Sequence, residues 1–274
     1  MSAQSRVNDE ARIYLINVGA NSRHQSRARS PIFVGQTSHR RPNFRYVPFY
    51  GVNHTNLATK AYPTSCHPFL NPNRIADILK FAHADPDWEN LTYGDNCVEP
   101  RGAALKNAQT NDIFLFWGAL FENSATDWQG FTGAKGWYLF GCLRIQHVLT
   151  QGSRLSLLEP QDQARALGNV HFRGGTTLPL GDYVFLGDTS RSCAFTNAVD
   201  LQVTNDNGLI YKAFRSADGI PLSRNGRPRW FSSLRSCRIV LDLSKREDRN
   251  RAEILRQAIK IGTNFDMLRD VRGR

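Results

Sequence analysis

Two short polar clusters in this sequence hold residue types that can carry acid–base and anion-binding chemistry. Tyr93 and Asp95 stand in the first cluster, with Arg101 a few residues later, and His171 and Arg173 stand in the second. An aspartate or a histidine can act as a general acid or base, and an arginine can hold an anion or a developing negative charge. We expect Asp95, His171, Arg101 and Arg173 to be catalytic, with Asp95 or His171 as the acid–base group. Surface turns and structural histidines give similar local sequences, so a structural role stays open for each cluster.

A third polar segment follows the first predicted strand, over residues 19–31. A loop rich in glycine, serine and arginine at this place can expose backbone N–H groups to a phosphate, although an ordinary polar loop has the same composition. We expect Asn21 and Ser22 to donate hydrogen bonds to the substrate, and Arg27 and Arg29 to contact phosphate.

Aromatic residues are concentrated in two predicted strands and in the long loop between them. Half of the aromatic side chains on an alternating strand must face the core, and the other half can form a stacking slot for a nucleobase. We expect Trp117 and Tyr138 to contact the substrate together with Tyr93, Asn21 and Ser22.

The common signatures of nucleotide-handling and hydrolytic enzymes are missing from the sequence. It contains no GxxxxGK[ST] loop, no GxGxxG after a strand, no HExxH and no GxSxG. The cysteines and histidines lack zinc-ligand spacing, so we expect no metal, and no cofactor is evident from the sequence. The clustered acids that a magnesium-dependent nuclease needs are also not evident, which disfavours that class.

Positive charge is concentrated at the two ends of the chain, whose net charge is +11. Residues 1–47 carry +6 and residues 221–274 carry +8, whereas residues 48–220 carry −3. Arginine binds phosphate with two parallel hydrogen bonds, so this distribution favours DNA or a nucleotide as the partner, although solubility alone could also explain it. The arginines that we expect to contact DNA phosphates are Arg27, Arg29, Arg40, Arg41, Arg249 and Arg256.

The apolar patterning predicts an α+β fold, with a mixed or barrel-like β-sheet and a few flanking helices. Strands are predicted at residues 11–18, 32–34, 44–49, 112–120, 136–148, 199–203, 209–213 and 238–243, and helices after Asn71, at 160–167 and after Ser244. The helix after Asn71 is predicted to carry Ile75, Ile78, Leu79 and Ala82 on one face and to stop before Asp85. We expect a disordered N-terminus over residues 1–10, a single domain over 11–243, and a basic C-terminal helix over 244–274 that packs on the domain.

Two sequence features bear on the compartment. No apolar run reaches the ~18 residues of a membrane span, and the N-terminus lacks the apolar stretch of a secretory signal. The five cysteines are scattered and odd in number. We therefore expect a cytoplasmic protein without disulfides and without a membrane partner.

Several motifs occur in an order that resembles a known family. They are INVGANSRH, SPIF, FRYVPF, TYGDN, PRGAAL, NDIFLFWGALF, GWYLFGCLRI and NVHFRGG. This order is similar to the third nucleotide modification associated domain family, found with enzymes that modify bases in bacterial and phage DNA. The resemblance covers residues 11–243 and implies a role in DNA base modification, with other modification enzymes as possible partners. A looser resemblance of the central strands to PUA-type barrels, including the EVE and YTH readers of modified bases, rests on fold-level analogy.

Two functions follow from these observations. Chemistry on a duplex base requires the base to be flipped into a pocket, so we expect an enzyme, a transferase or hydrolase, acting on a nucleobase or its substituent in DNA or in a nucleotide precursor. The alternative is a non-catalytic reader that binds a modified base in an aromatic pocket. A carboxylate and a histidine within hydrogen-bond reach at the pocket floor would favour the enzyme.

Overall fold

The computed structural model describes residues 11–18, 26–33, 42–51, 59–100, 102–201, 237–263 and 265–267. The predicted disordered N-terminus and the predicted strand at 209–213 lie outside these residues. Within them the fold is α+β, as the sequence predicts, with a large curled sheet and few helices. No helix of the described part combines the length and the apolar character that a membrane crossing requires.

Ten strands and three α-helices are assigned in the described ranges. The strands are β1 (Arg12–Asn17), β2 (Pro31–Phe33), β3 (Phe49–Tyr50), β4 (Ala82–His83), β5 (Thr92–Asn96), β6 (Ile113–Asn123), β7 (Phe131–Leu149), β8 (Asp182–Gly187), β9 (Cys193–Asp200) and β10 (Cys237–Asp242). The helices are α1 (Ile75–Ile78), α2 (Pro160–Gly168) and α3 (Arg246–Thr263). Short 3₁₀ turns connect several of them.

The large sheet is organised around the long antiparallel pair β6 and β7. Its strand order is β10-β1-β6-β7-β8-β5, with β2 added to β6 and β9 added to β7. β1 and β2 run parallel to β6, whereas the pairs made by β7, β8 and β10 are antiparallel. β3 and β4 form a separate two-stranded ribbon.

Both faces of the large sheet are buried, because apolar residues occupy successive positions of its central strands. Leu115 and Trp117 of β6 face α3, which contributes Leu255 and Ile259 to the same apolar cluster. Phe114 and neighbouring aromatic residues face the opposite side and form a second cluster. The continuous apolar run of β6 is therefore that of a strand covered on both faces.

The helix predicted after Asn71 begins where the sequence places it but ends earlier than predicted. The side chain of Asn71 accepts a hydrogen bond from the N–H of Asn73, which caps the turn. The helical stretch ends at Ile78 and does not reach Ala82, because the backbone of Ala82 exchanges both of its hydrogen bonds with Lys60, at 2.8 and 3.0 Å. Tertiary pairing overrides the local helical pattern there.

We predict that Leu255→Ala lowers the free energy of unfolding by about 2–5 kcal/mol, because Leu255 is fully buried between α3 and the sheet. Chemical denaturation of the full chain measures this difference. Asn250→Ala on the exposed side of α3 is the matched control and should change stability by less than about 0.5 kcal/mol. Equal effects of the two substitutions would contradict the packing of α3 on the sheet.

Candidate functional site

His171 lies buried in the 3₁₀ turn Val170–Phe172, directly after α2. Asn169 holds this turn: its side chain accepts a hydrogen bond from the N–H of His171 (3.0 Å) and donates one to Oγ1 of Thr92 (2.9 Å). The turn ends at Arg173, in the left-handed conformation with φ of 53°. These contacts fix the imidazole ring of His171 against β5.

Each ring nitrogen of His171 faces a buried carboxylate. Nε2 lies 2.9 Å from Oδ2 of Asp85, and Nδ1 lies 3.1 Å from Oδ2 of Asp182. The side chains of all three residues are at most 6% exposed. The imidazole therefore bridges two carboxylates that come from distant parts of the chain.

Further hydrogen bonds fix both carboxylates. Oδ1 of Asp85 accepts the N–H of Gly94 at 2.7 Å, and Oδ1 of Asp182 accepts Nδ2 of Asn96 at 2.8 Å. Arg173 approaches Oδ2 of Asp182 at 3.6 Å. Both oxygens of each carboxylate are thus engaged, as buried charges require.

A second imidazole, that of His83, completes the arrangement. Its Nε2 lies 3.6 Å from Oδ2 of Asp85, and its ring centroid lies 5.5 Å from that of His171. We refer to His83, Asp85, His171 and Asp182 as the histidine–aspartate cluster. Of these four residues, only His171 was identified from the sequence. The short spacing of His83 and Asp85 before Pro86 was the signal that could have pointed to those two residues.

The pKa values of His171, Asp85 and Asp182 are each shifted so that the charged form of the group is favoured. Burial by itself lowers the pKa of His171, but its hydrogen bonds to Asp182 and Asp85 and their charges raise the pKa to about 10. Burial favours protonation of Asp85, yet the hydrogen bonds from His171 and His83 hold the pKa of Asp85 below its usual value. Asp182 behaves likewise, with a lowered pKa.

This arrangement supports two kinds of chemistry. With a proton on each ring nitrogen, His171 is an imidazolium ion held between two carboxylates, and it can give up or retain a proton at Nε2. If Nε2 loses its proton, Nε2 and Oδ2 of Asp85 both direct a lone pair into the space between them.

The backbone of β5 closes one side of the cluster. A Cβ atom at Gly94 would lie 2.3 Å from Cδ2 of His171, so only glycine allows this approach. Alternation along the strand directs Thr92, Gly94 and Asn96 toward the cluster and the side chains between them to the opposite face.

Asp95 consequently lies on the other face of β5 from His171. It accepts a hydrogen bond from the hydroxyl of Tyr93 at 3.0 Å and one from the N–H of Asn96 at 2.9 Å. The structure brings together His171 and Arg173 of the four residues expected to be catalytic, and it does not bring Asp95 to them. Arg101 lies outside the described residues.

The two aromatic residues expected to form one slot face opposite sides of the large sheet. Trp117 pairs with Leu139 and lies 5.6 Å from Trp137 in the cluster under α3, whereas Tyr138 pairs with Gly118 and belongs to the other cluster. Tyr93 packs among phenylalanines in that second cluster. The strand register thus separates these residues, and no common slot is formed between Trp117 and Tyr138.

A different aromatic cleft adjoins the histidine–aspartate cluster. Its lining includes Arg29, Ser30, Tyr46, Phe49, Phe121 and Phe140. The ring of Phe49 lies 4.7 Å from that of His83, and the hydroxyl of Tyr46 donates a hydrogen bond to the backbone oxygen of Asp85 at 3.0 Å. One layer of aromatic side chains therefore separates the cleft from the cluster.

The arginines expected to contact phosphate have different surroundings. The guanidinium group of Arg29 stacks over Trp128 at 4.7 Å, and that of Arg27 stacks over Tyr50 at 4.4 Å. Arg249 donates to the backbone oxygens of residues 243 and 244, which closes the turn before α3. Arg256 forms two 2.6 Å hydrogen bonds with Asp266 and also pairs with Glu253.

The remaining predicted residues, Asn21, Ser22, Arg40 and Arg41, lie outside the described residues. The five cysteines are free thiols. Burial raises the pKa of the thiol of Cys66, among others, so this group is a poor nucleophile at neutral pH.

Comparison with known proteins identifies the family of the chain. No curated protein and no solved structure matches it. Residues 12–251, most of the chain, match the family described as nucleotide modification associated domain 3. The match extends over the large sheet, the histidine–aspartate cluster and the first part of α3, and the chain therefore belongs to the nucleotide modification associated domain 3 family.

Proposed function

We propose that this protein is an enzyme that modifies a nucleobase or its substituent, in DNA or in a nucleotide precursor. The family name associates the chain with nucleotide modification and leaves the reaction open. The observation that carries the proposal is the buried imidazole of His171, held between Asp85 and Asp182 behind an aromatic cleft.

The cleft adjoins the cluster and has a volume of about 20 Å³, the space of about one water molecule, so a nucleobase binds there only if the lining side chains move apart. Tyr46 and Phe140 stack with ring centroids 5.5 Å apart, and Phe49 extends the aromatic wall toward His83. Phe140 is buried beneath Tyr46, so the partly exposed rings of Tyr46 and Phe49 are the ones on which a base could stack, for about 1–3 kcal/mol per base. Arg29 at the cleft supplies a positive charge for the phosphate of the same nucleotide.

The cluster beside the cleft supports an enzyme over a reader. A reader needs an aromatic pocket and hydrogen-bonding groups for the base edge, and it does not require a buried imidazole held between two carboxylates. Asp85 and His171 converge at 2.9 Å, and this convergence favours catalysis. In the enzyme the histidine–aspartate cluster supplies the reactive group, and Arg173 stabilises Asp182.

We predict that His171→Asn lowers the modification activity by at least about 100-fold, since positioned acid–base groups contribute 10²–10⁴-fold. Mass spectrometry of DNA nucleosides and free nucleotides, from cells that carry the protein and its genomic neighbours, measures the modified product. His147→Asn is the matched control. Nε2 of His147 also lies near a carboxylate, 3.3 Å from Oδ2 of Asp162, but the side chain is 36% exposed and this pair lies outside the histidine–aspartate cluster.

Full activity of a correctly folded His171→Asn variant would refute the proposal. Loss of activity in Asp95→Asn instead would place the chemistry on the opposite face of β5. If the unmodified protein and both variants bind a modified base and none of them turns it over, the result would support the alternative function, a non-catalytic reader.

We predict that Arg29→Gln weakens binding to duplex DNA and reduces the slope of log K against log salt by about 1, as for the loss of one phosphate contact. Arg256→Gln should leave this slope unchanged, because Asp266 and Glu253 already neutralise the guanidinium of Arg256. Fluorescence anisotropy over a series of salt concentrations measures both slopes. An equal decrease in both variants would contradict the distinction between these two arginines.

A further inference from the structure

We infer that His83, Asp85 and His171 form a binding site for one divalent first-row transition metal ion. This inference departs from the expectation of no metal, which rested on the local spacing of cysteines and histidines. It does not depend on the proposed function, because metal binding can be measured without a nucleotide.

The donor atoms have the separations that a shared ion requires. Nε2 of His171 and Nε2 of His83 lie 2.9 and 3.6 Å from Oδ2 of Asp85, and the three donors lie within 4.8 Å of one another. Ligands about 2.0–2.2 Å from an ion are roughly 3.0–3.5 Å apart in octahedral or tetrahedral geometry. A small contraction around an ion would therefore bring all three donor atoms to ligand distance.

Hydrogen bonds from neighbouring groups orient the donor atoms, as hydrogen bonds around metal ligands commonly do. Nδ1 of His171 faces Asp182 at 3.1 Å, which directs Nε2 toward Asp85. A carboxylate on the far nitrogen of a ligating histidine is the usual support of such a ligand. The N–H of Gly94 donates a hydrogen bond to Oδ1 of Asp85, which leaves Oδ2 directed at both histidines.

The donor set selects the class of ion. Two imidazole nitrogens and one carboxylate oxygen suit Zn²⁺, Fe²⁺, Co²⁺ and similar ions, whereas Mg²⁺ and Ca²⁺ prefer oxygen ligands alone. The ion takes the place of the proton between Nε2 of His171 and Asp85. Three protein ligands leave at least one coordination position for water or substrate, next to the aromatic layer of Phe49 and Tyr46.

Untagged, chelator-treated full-length protein titrated with Co²⁺ tests the inference. We expect one equivalent to bind, a visible d–d absorption band, and histidine ring protons shifted by the paramagnetic ion outside the normal NMR range. Binding of Zn²⁺ should displace Co²⁺ with the same stoichiometry. These measurements use the unmodified protein and do not depend on the folding of any variant.

Substitutions then locate the ion. His83→Ala and the isosteric Asp85→Asn should each abolish the stoichiometric binding, and Asp182→Asn should weaken it by about 10–100-fold through the orientation of His171. His147→Ala, which removes a histidine–aspartate pair outside the cluster, should bind one equivalent with unchanged affinity.

Three results would overturn the inference. They are the absence of stoichiometric Co²⁺ binding, binding without shifted histidine protons, and binding that survives both His83→Ala and Asp85→Asn. Metal binding together with absent nucleotide modification would leave this site standing and refute only the proposed function.

Discussion

The burial of two carboxylates and an imidazole at one point is the constraint on which the site depends. An isolated buried charge costs several kcal/mol, so Asp85 and Asp182 remain buried because His171 lies between them, Arg173 approaches Asp182, and N–H groups donate to both carboxylates. The surrounding structure serves this compensation: Asn169 caps the turn that carries His171, and Gly94 both donates to Asp85 and leaves space for the ring. Removal of His171 would leave two buried carboxylates without the positive charge between them.

The large sheet positions this set through strand register. β5 pairs with β8 so that Asn96 stands opposite Asp182, and their side chains meet at 2.8 Å. β8 in turn pairs with the end of β7, whose other half pairs with β6. The site is therefore built on the edge of the same sheet that forms the two apolar clusters, which gives it a rigid support.

The arginines of the described residues have different surroundings. Arg249 and Arg256 stabilise the ends of α3 by contacts with backbone oxygens and with acidic side chains. Arg29 lies at the aromatic cleft, stacked on Trp128. Net charge alone does not show that Arg256 is already engaged by Asp266 and Glu253.

The sequence by itself determined the α+β class, the central strands β6 and β7, the helices α2 and α3, and the family, because each is encoded by local apolar patterning or by motif order. It also pointed to His171 and Arg173. Only the tertiary structure decided that His171 meets Asp85, 86 residues away, and that Asp95 faces the other side of β5. It likewise placed Trp117 and Tyr138 on opposite faces of the sheet. The physical reason is that contacts between distant segments depend on strand register and on the packing of turns, and neither is encoded in the spacing of the residues concerned.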